Sequence, residues 1–229
     1  RVQKLRLADG HVLGTTEGSD DGHLDVPTAL CVVDDMVYVC DLGNDRIVAL
    51  TTDLAWSYTF GCQGSDPGEF LGPTGIAAHA GELFIADEGN HRVQIFSLAN
   101  NEMRYDRIIG CKGDAAGQFT NPGCVAILSE RLVVSEWERK RVQFLTLEGE
   151  PLQVLELGVS LGGICADEQR VWAADLAGHK IHVLQLMDQP TITSTRNPIE
   201  SSEVEALGDT GEQGEDSREY VAVLEAARS

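Results

Sequence analysis

Four pairs of an acidic and a basic residue recur along this chain, and each pair lies between two apolar runs. The two members of a pair are five positions apart: Asp41 and Arg46, Asp87 and Arg92, Glu136 and Arg141, Asp175 and Lys180. Carboxylates grouped around one axis could hold a metal ion or act as general acids. Successive acids are 46, 49 and 39 residues apart. Because the pair recurs at this period, we interpret it as part of a structural repeat in which the cation reaches back to the acid across a turn.

The segments around each pair predict four antiparallel strands per repeat. GHLDVP, GEFLGP and GQFTNP precede three copies, and each is followed by a short apolar run, a polar turn and a second run that ends at the acid. A third run follows the basic residue, as in RVQIFSL, and a fourth lies around WSYTF. The runs are rich in β-branched and aromatic residues, and none shows helical spacing. The sequence therefore predicts an all-β fold, a β-propeller with one blade per repeat.

The repeat count gives four full blades and half of a fifth. We expect the propeller to span 1–187, with blades at about 1–25 (partial), 26–61, 72–110, 121–158 and 159–195. The ring is expected to be incomplete, an open arc. Residues 188–229 hold ten acidic residues against three arginines, and they predict an acidic, largely flexible tail with a short helix over 218–228.

The second repeat carries a pattern that strongly resembles the NHL repeat. GEFLGPTGIA is followed by FIADEGNHRVQIF, which has an Asp, an Asn and an Arg-Val in the expected positions. The third repeat departs with Glu136 and Arg139 in the Asp and Asn positions, and the fourth with Gly178 and Lys180 in the Asn and Arg positions. The resemblance implies one of three functions: a protein-binding platform, an RNA-binding propeller of the tripartite-motif ubiquitin-ligase type, or an amidating lyase.

The net charge and the positions of the cysteines favour some of these three functions over others. The net charge is −20, and an acidic protein repels a phosphate backbone, which disfavours RNA binding. Five of the six cysteines replace alanine at equivalent positions or recur in step with the repeat, which favours free thiols in a reducing compartment and a cytoplasmic location. No apolar run is long enough to cross a membrane, so no membrane partner is expected.

No residue set for catalysis or cofactor binding stands out. His179 and His182 are three apart on a predicted strand, so they point to opposite faces and cannot share a metal ion. The amidating lyases that the fold resembles use a zinc ion held by histidines, with calcium and disulfides, and no repeated histidine set or paired cysteines match that role. We therefore expect a protein that is not an enzyme and holds no metal and no cofactor.

The sharpest departure from the repeat is the turn EWERKR. Trp137, Arg139 and Lys140 stand where other blades have small or neutral residues, and Trp and Arg are the residue types most enriched at binding hot spots. His91 lies in the turn position that Lys140 fills in this copy, and we include it in the candidate site. There are two alternatives. The turn has no binding role and Trp137 rests on a neighbouring blade, or Trp137 stacks on a nucleic-acid base. The sequence as a whole predicts a non-catalytic module that presents blade-end loops to a protein partner.

Overall fold

Strands dominate the protein, and the computed structural model describes residues 1–16, 23–185 and 220–224, the last of these by their backbone alone. Two one-turn 3₁₀ helices, Leu42–Asn44 and Glu88–Asn90, are the only helical elements in the described part of the chain. The strands form five antiparallel sheets, which follow one another along the chain. The prediction of an all-β propeller is confirmed.

Blades 1 and 2 are complete four-stranded sheets. Blade 1 consists of β3 (Pro27–Val33), β4 (Met36–Asp41), β5 (Arg46–Thr51) and β6 (Trp56–Phe60). Blade 2 consists of β7 (Pro73–His79), β8 (Glu82–Asp87), β9 (Arg92–Ala99) and β10 (Glu102–Ile109). In both blades the strands pair in sequence order, as consecutive hairpins.

Blade 3 repeats this order, and blade 4 is described through its third strand. Blade 3 consists of β11 (Pro122–Ile127), β12 (Arg131–Glu136), β13 (Arg141–Thr146) and β14 (Pro151–Glu156). Blade 4 consists of β15 (Leu161–Ala166), β16 (Arg170–Asp175) and β17 (Lys180–Gln185). The fourth strand of blade 4, which the sequence predicts near 191–195, lies outside the described residues.

The fifth sheet joins the two ends of the described chain. β1 (Val2–Arg6) pairs with β2 (Val12–Thr15) on one side and with β18 (Tyr220–Leu224) on the other. The prediction of a helix over 218–228 is wrong for these five residues. YVAVL has valine at alternate positions, and its backbone pairs with the edge of β1 that β2 leaves uncovered. A helix this short is marginal without such tertiary partners. We call β1, β2 and β18 the terminal sheet.

Neighbouring sheets pack face to face on apolar residues. Tyr38 and Ile47 of blade 1 pack on Ile85 and Phe96 of blade 2, and the pattern continues between blades 2 and 3 and between blades 3 and 4. Val2 of the terminal sheet packs on Val37 and Val48 of blade 1 and neighbouring residues. Each sheet thus buries its face against the next one, as in a propeller.

Among the described residues, one face of blade 4 is left uncovered. Ile181 is 68% exposed, whereas the equivalent residues Ile47, Val93 and Val142 of the other blades are fully buried against the following blade. No described sheet covers this face of β16 and β17. The described residues therefore form an open arc of blades, as the sequence predicted.

Candidate functional site

The repeated acids of blades 2 and 3 are fully buried and saturated with hydrogen bonds. One Asp87 oxygen accepts the Leu71 N–H at 2.8 Å, and the other accepts Arg92 Nε at 2.8 Å and Asn90 Nδ2 at 2.9 Å. In blade 3, Glu136 accepts the Thr120 N–H at 2.7 Å and Arg141 Nε at 2.6 Å. A buried carboxylate is tolerated when it is paired and hydrogen-bonded in this way. These acids have no free face for a metal ion or a substrate.

The arginines tie each blade to the linker that precedes it. Arg92 donates to Ser65 O at 2.8 Å, Asp66 O at 3.0 Å and Glu69 O at 2.9 Å, all on the linker between blades 1 and 2. Arg141 makes the equivalent bonds to Asp114 O at 2.7 Å and Gln118 O at 3.1 Å. The planar guanidinium can hold several acceptors at fixed angles. The pair therefore fixes both the turn and the linker.

A glutamine completes each of these networks, and the sequence analysis missed it. Gln94 and Gln143 are fully buried. Their Nε2 atoms donate to Asp87 at 3.0 Å and to Glu136 at 2.7 Å, and each side-chain oxygen accepts a linker amide. The recurrence of Arg-Val-Gln at 1–3, 92–94 and 141–143 was the signal that could have revealed it. We call the acid, the arginine and the glutamine the blade triad.

Blade 1 has the pair without the glutamine. Asp41 accepts Arg46 Nε at 2.8 Å and the Asp25 N–H at 2.6 Å, and valine stands at the glutamine position, residue 48. The Arg46 side chain is 21% exposed, compared with 9% for Arg92. The network of blade 1 is therefore more exposed to solvent than that of blade 2.

The fourth pair differs from the prediction. Asp175 and Lys180 are opposite each other in the sheet, yet Lys180 makes no ion pair with a described residue. Asp175 accepts the Gly178 N–H at 2.8 Å, which lowers the pKa of its carboxyl, and lies 3.4 Å from His182 Nε2. His182 occupies the glutamine position of this blade. Lys180 has a single ammonium group and lacks the planar guanidinium that lets an arginine bond to several linker carbonyls at once. Asp175 therefore accepts hydrogen bonds from other donors.

The position before each basic residue has a left-handed backbone in all four turns. The φ angles are 51° at Asp45, 55° at His91, 55° at Lys140 and 52° at His179. Asn and Asp tolerate this conformation better than most residues, and the turn needs it to return the chain into the third strand. The turn therefore constrains the backbone conformation at this position, whereas the identity of the side chain varies.

Two of these side chains also bond to the next blade. Asp45 Oδ1 accepts the Gly72 N–H at 2.7 Å, and His91 Nδ1 accepts the Asn121 N–H at 3.2 Å. Both amides belong to the residue just before the proline that opens the next blade. His91 was predicted as a partner contact, and the structure places it in a joint between blades 2 and 3.

Trp137 lies at the first position of the blade 3 turn and leans toward blade 2. Its Nε1 donates to Glu88 Oε1 at 3.3 Å, and its ring edge passes above Gly123 on the inner strand β11. The side chain remains 43% exposed. Trp137 thus contacts the neighbouring blade and is also accessible to solvent.

The three cations of the same turn have different surroundings. Arg141 is buried in its triad, and Arg139 forms an ion pair with Asp114 of the linker. Lys140 is exposed and pairs with no described carboxylate. The structure therefore does not bring these cations together as a basic patch.

Further exposed apolar side chains lie at the same end of the blades. Leu71 is 43% exposed and rests on Gly89 in the turn that also holds Glu88. Leu176 is 63% exposed, occupies the position equivalent to Trp137, and rests on Gly162 at the start of the inner strand of blade 4. Cys124, which follows Gly123, donates its thiol to Gly162 O at 3.7 Å, so the two inner strands are adjacent there. We call Leu71, Glu88, Trp137 and Leu176 the turn-end surface.

No group of three or more metal-ligating side chains occurs within residues 1–16 and 23–185. The six cysteines all lie in this part of the chain and are free thiols. Burial raises the pKa of Cys31 to about 12 and raises those of Cys40 and Cys124 as well. No helix in the described part is long and apolar enough to span a bilayer.

Comparison with solved structures defines the class of protein. A streptogramin B lyase structure matches with a TM-score of 0.55 at 13% identity, over 80% of this chain and 60% of that one. A nidogen/laminin complex matches with a TM-score of 0.57 at 18% identity, over 80% of this chain and 66% of that one. A virginiamycin B lyase from Staphylococcus aureus, crystallised with quinupristin as a catalytically inactive variant, matches with a TM-score of 0.54 at 13% identity, over 81% and 63%. This chain thus spans about three fifths to two thirds of these proteins, and at these identities the likeness shows the β-propeller fold alone.

One blade also matches a known sequence repeat. The NHL repeat matches residues 70–96, from the buried Phe70 of the linker to Phe96 of the third strand. Blades of the same construction precede and follow this segment. The chain is thus a β-propeller that contains an NHL repeat in its second blade.

Proposed function

We propose that this propeller is a non-catalytic module that binds a protein partner through its turn-end surface. The observation that carries the proposal is the state of Trp137: a large aromatic ring, 43% exposed and oriented by its hydrogen bond to Glu88. An exposed side chain that is already held in place loses little conformational entropy on binding. Leu71 and Leu176 supply further apolar area at the same end.

The distribution of charge supports a protein partner over RNA. Of the cations in the Trp137 turn, only Lys140 is left without an acidic partner among the described residues. The opposite end of the blades carries acidic turns, with Asp34, Asp35, Glu130, Asp167 and Glu168 between first and second strands. A nucleic-acid surface needs several uncompensated cations along one path.

The hydrogen bonds that the buried acids already accept support a non-catalytic role. Each buried carboxylate of blades 2 and 3 already accepts an arginine, a glutamine and a backbone amide. A general acid or base needs an open site within hydrogen-bond reach of a substrate. Association with a ubiquitin-ligase domain and a cytoplasmic location, both expected from the sequence, stay predictions.

Affinity capture with matched variants tests the proposal. The immobilised chain, the double variant Trp137→Ala with Lys140→Ala, and the control Trp56→Ala are each incubated with cell lysate, with and without ribonuclease. Trp56 is 45% exposed on the outer strand of blade 1, so the control removes an equally exposed indole. We expect a protein that the wild type and the control retain, the double variant loses, and ribonuclease does not affect. Capture that ribonuclease abolishes would move the function to RNA binding.

A further inference from the structure

An arginine, a tryptophan and an aspartate of blade 4 form a three-part contact. The guanidinium carbon of Arg170 lies 4.9 Å from the centroid of the Trp172 ring. The same guanidinium donates to Asp167 Oδ2 at 3.1 Å. A cation over the face of an indole is attracted by the ring electrons, and a nearby carboxylate adds a charge-assisted hydrogen bond. The protein therefore contains one complete example of a guanidinium shared by an indole and a carboxylate.

Trp137 and Glu88 supply the same two groups on the turn-end surface. Trp137 Nε1 donates to Glu88 Oε1 at 3.3 Å, so the ring and the carboxylate are adjacent. The Trp137 side chain is 43% exposed. Among the described residues, no cation lies over this ring and Glu88 forms no ion pair. The arrangement is therefore that of blade 4 without the arginine.

The cations of the Trp137 turn are engaged elsewhere or placed on its other side. Arg139 pairs with Asp114 of the linker, and Arg141 is buried in its triad. Lys140 occupies the turn position that in blades 1 and 2 bonds to the following blade, whereas Trp137 leans toward the preceding blade. The cation that would complete the arrangement must therefore come from another molecule.

We propose that Trp137 and Glu88 form a binding site for an arginine side chain of the protein partner, with the guanidinium stacked on the indole and donating to the carboxylate. The inference rests on the proposed function and makes the partner's chemistry specific. Glu88 Oε2 accepts no hydrogen bond from a described residue and is available to such a donor. A guanidinium suits the site better than an ammonium, because its plane can stack on a ring while its N–H groups bond to a carboxylate. The net charge of −20 favours the approach of a basic segment.

Nuclear magnetic resonance of the three indole N–H groups tests the site directly. The labelled chain is titrated with N-acetylarginine methylamide and, separately, with the neutral N-acetylcitrulline methylamide. We expect only the arginine compound to shift the Trp137 signal. Trp56 and Trp172 are internal controls, because Trp56 bonds to no described carboxylate and Trp172 already contacts Arg170. Equal shifts with the two compounds, or a Trp56 signal that moves as far as that of Trp137, would overturn the proposal.

A change of charge alone separates the carboxylate from the ring. Glu88→Gln keeps an oxygen that can accept the indole N–H but removes the negative charge, so the dissociation constant for N-acetylarginine methylamide should rise roughly fivefold or more. Glu138→Gln is the matched control, because Glu138 is exposed in the same turn and pairs with no described cation. It should leave the dissociation constant unchanged. Equal weakening in the two variants would overturn the site.

Partner capture separates this inference from the proposed function. Glu88→Gln is added to the affinity capture that tests the proposed function, and we expect it to retain less of the protein that depends on Trp137. A protein that Trp137→Ala loses and Glu88→Gln retains in full would overturn the arginine site and leave the proposed function intact. Capture that Trp137→Ala leaves unchanged would contradict the proposed function, and the titration then still decides whether the site binds a guanidinium.

Discussion

His91 in blade 2 accepts the backbone N–H of Asn121, the residue before the first strand of blade 3, at 3.2 Å. Asp45 makes the same kind of bond to Gly72 one blade earlier. A side chain in the turn of one blade thus holds the entry of the next, and the blades are joined by polar bonds at their ends as well as by apolar packing between their faces.

This joint predicts the effect of two substitutions at one position. His91→Ala should lower the free energy of unfolding by about 1 kcal/mol, because the Asn121 amide loses its acceptor. His91→Asp should retain most of the stability, since Asp45 performs the same role in blade 1 with a similar left-handed backbone. Urea denaturation of the three proteins measures both values. Equal losses in the two variants would show that the bond to Asn121 contributes nothing.

The arginine of the blade triad should matter far more than the lysine that replaces it. Arg92→Ala should lower the free energy of unfolding by roughly 1–3 kcal/mol, because Asp87 and three linker carbonyls lose a donor. Lys180→Ala is the matched control at the equivalent position, where the side chain pairs with no carboxylate among the described residues, and it should change stability little. If the Arg92→Ala protein is as stable as the wild type, the pair of Asp87 and Arg92 has no structural role.

The buried glutamine gives a second test of the triad. Gln94→Leu keeps a similar volume but leaves the Gly68 amide and one bond of Asp87 unsatisfied. We expect a loss of roughly 1–3 kcal/mol in the free energy of unfolding. Thermal unfolding of the wild type and of Gln94→Leu measures the loss. Unchanged stability in Gln94→Leu would count against the network.

Thiol reactivity should divide the cysteines into two groups. Cys62, Cys111 and Cys165 are exposed and should react with iodoacetamide in the native protein at neutral pH. Cys31, whose pKa burial raises to about 12, and Cys40 and Cys124, whose pKa values burial also raises, should react only after denaturation. Peptide mass spectrometry with and without urea gives the pattern. Rapid native labelling of Cys40 would contradict the packing of blade 1.

The sequence predicted the blade architecture because its signals are local. Alternating apolar runs, the turn residues and the prolines at 27, 73 and 122 mark strands that the structure places at Pro27–Val33, Pro73–His79 and Pro122–Ile127. The left-handed turn position is also local, and its tolerance of Asp, His and Lys was visible in the four copies.

The bonds between distant residues could not be predicted in the same way. The contact of Trp137 with Glu88 and that of His91 with Asn121 cross from one blade to the next, over 49 and 30 residues. The strand Tyr220–Leu224 depends on β1, more than 200 residues away, and a short valine-rich segment is compatible with a helix until that edge is known. Spacing along one repeat contains no information about such pairs.

The most direct test of the proposed function places a photo-crosslinking amino acid at position 137 and, in a second protein, at position 56. The two native indoles are 43% and 45% exposed, so both positions tolerate an aromatic probe at the surface. We expect irradiation in cell extract to link a protein to position 137 and not to position 56. RNA linked to position 137, or the same proteins linked equally at both positions, would contradict protein binding through the turn-end surface.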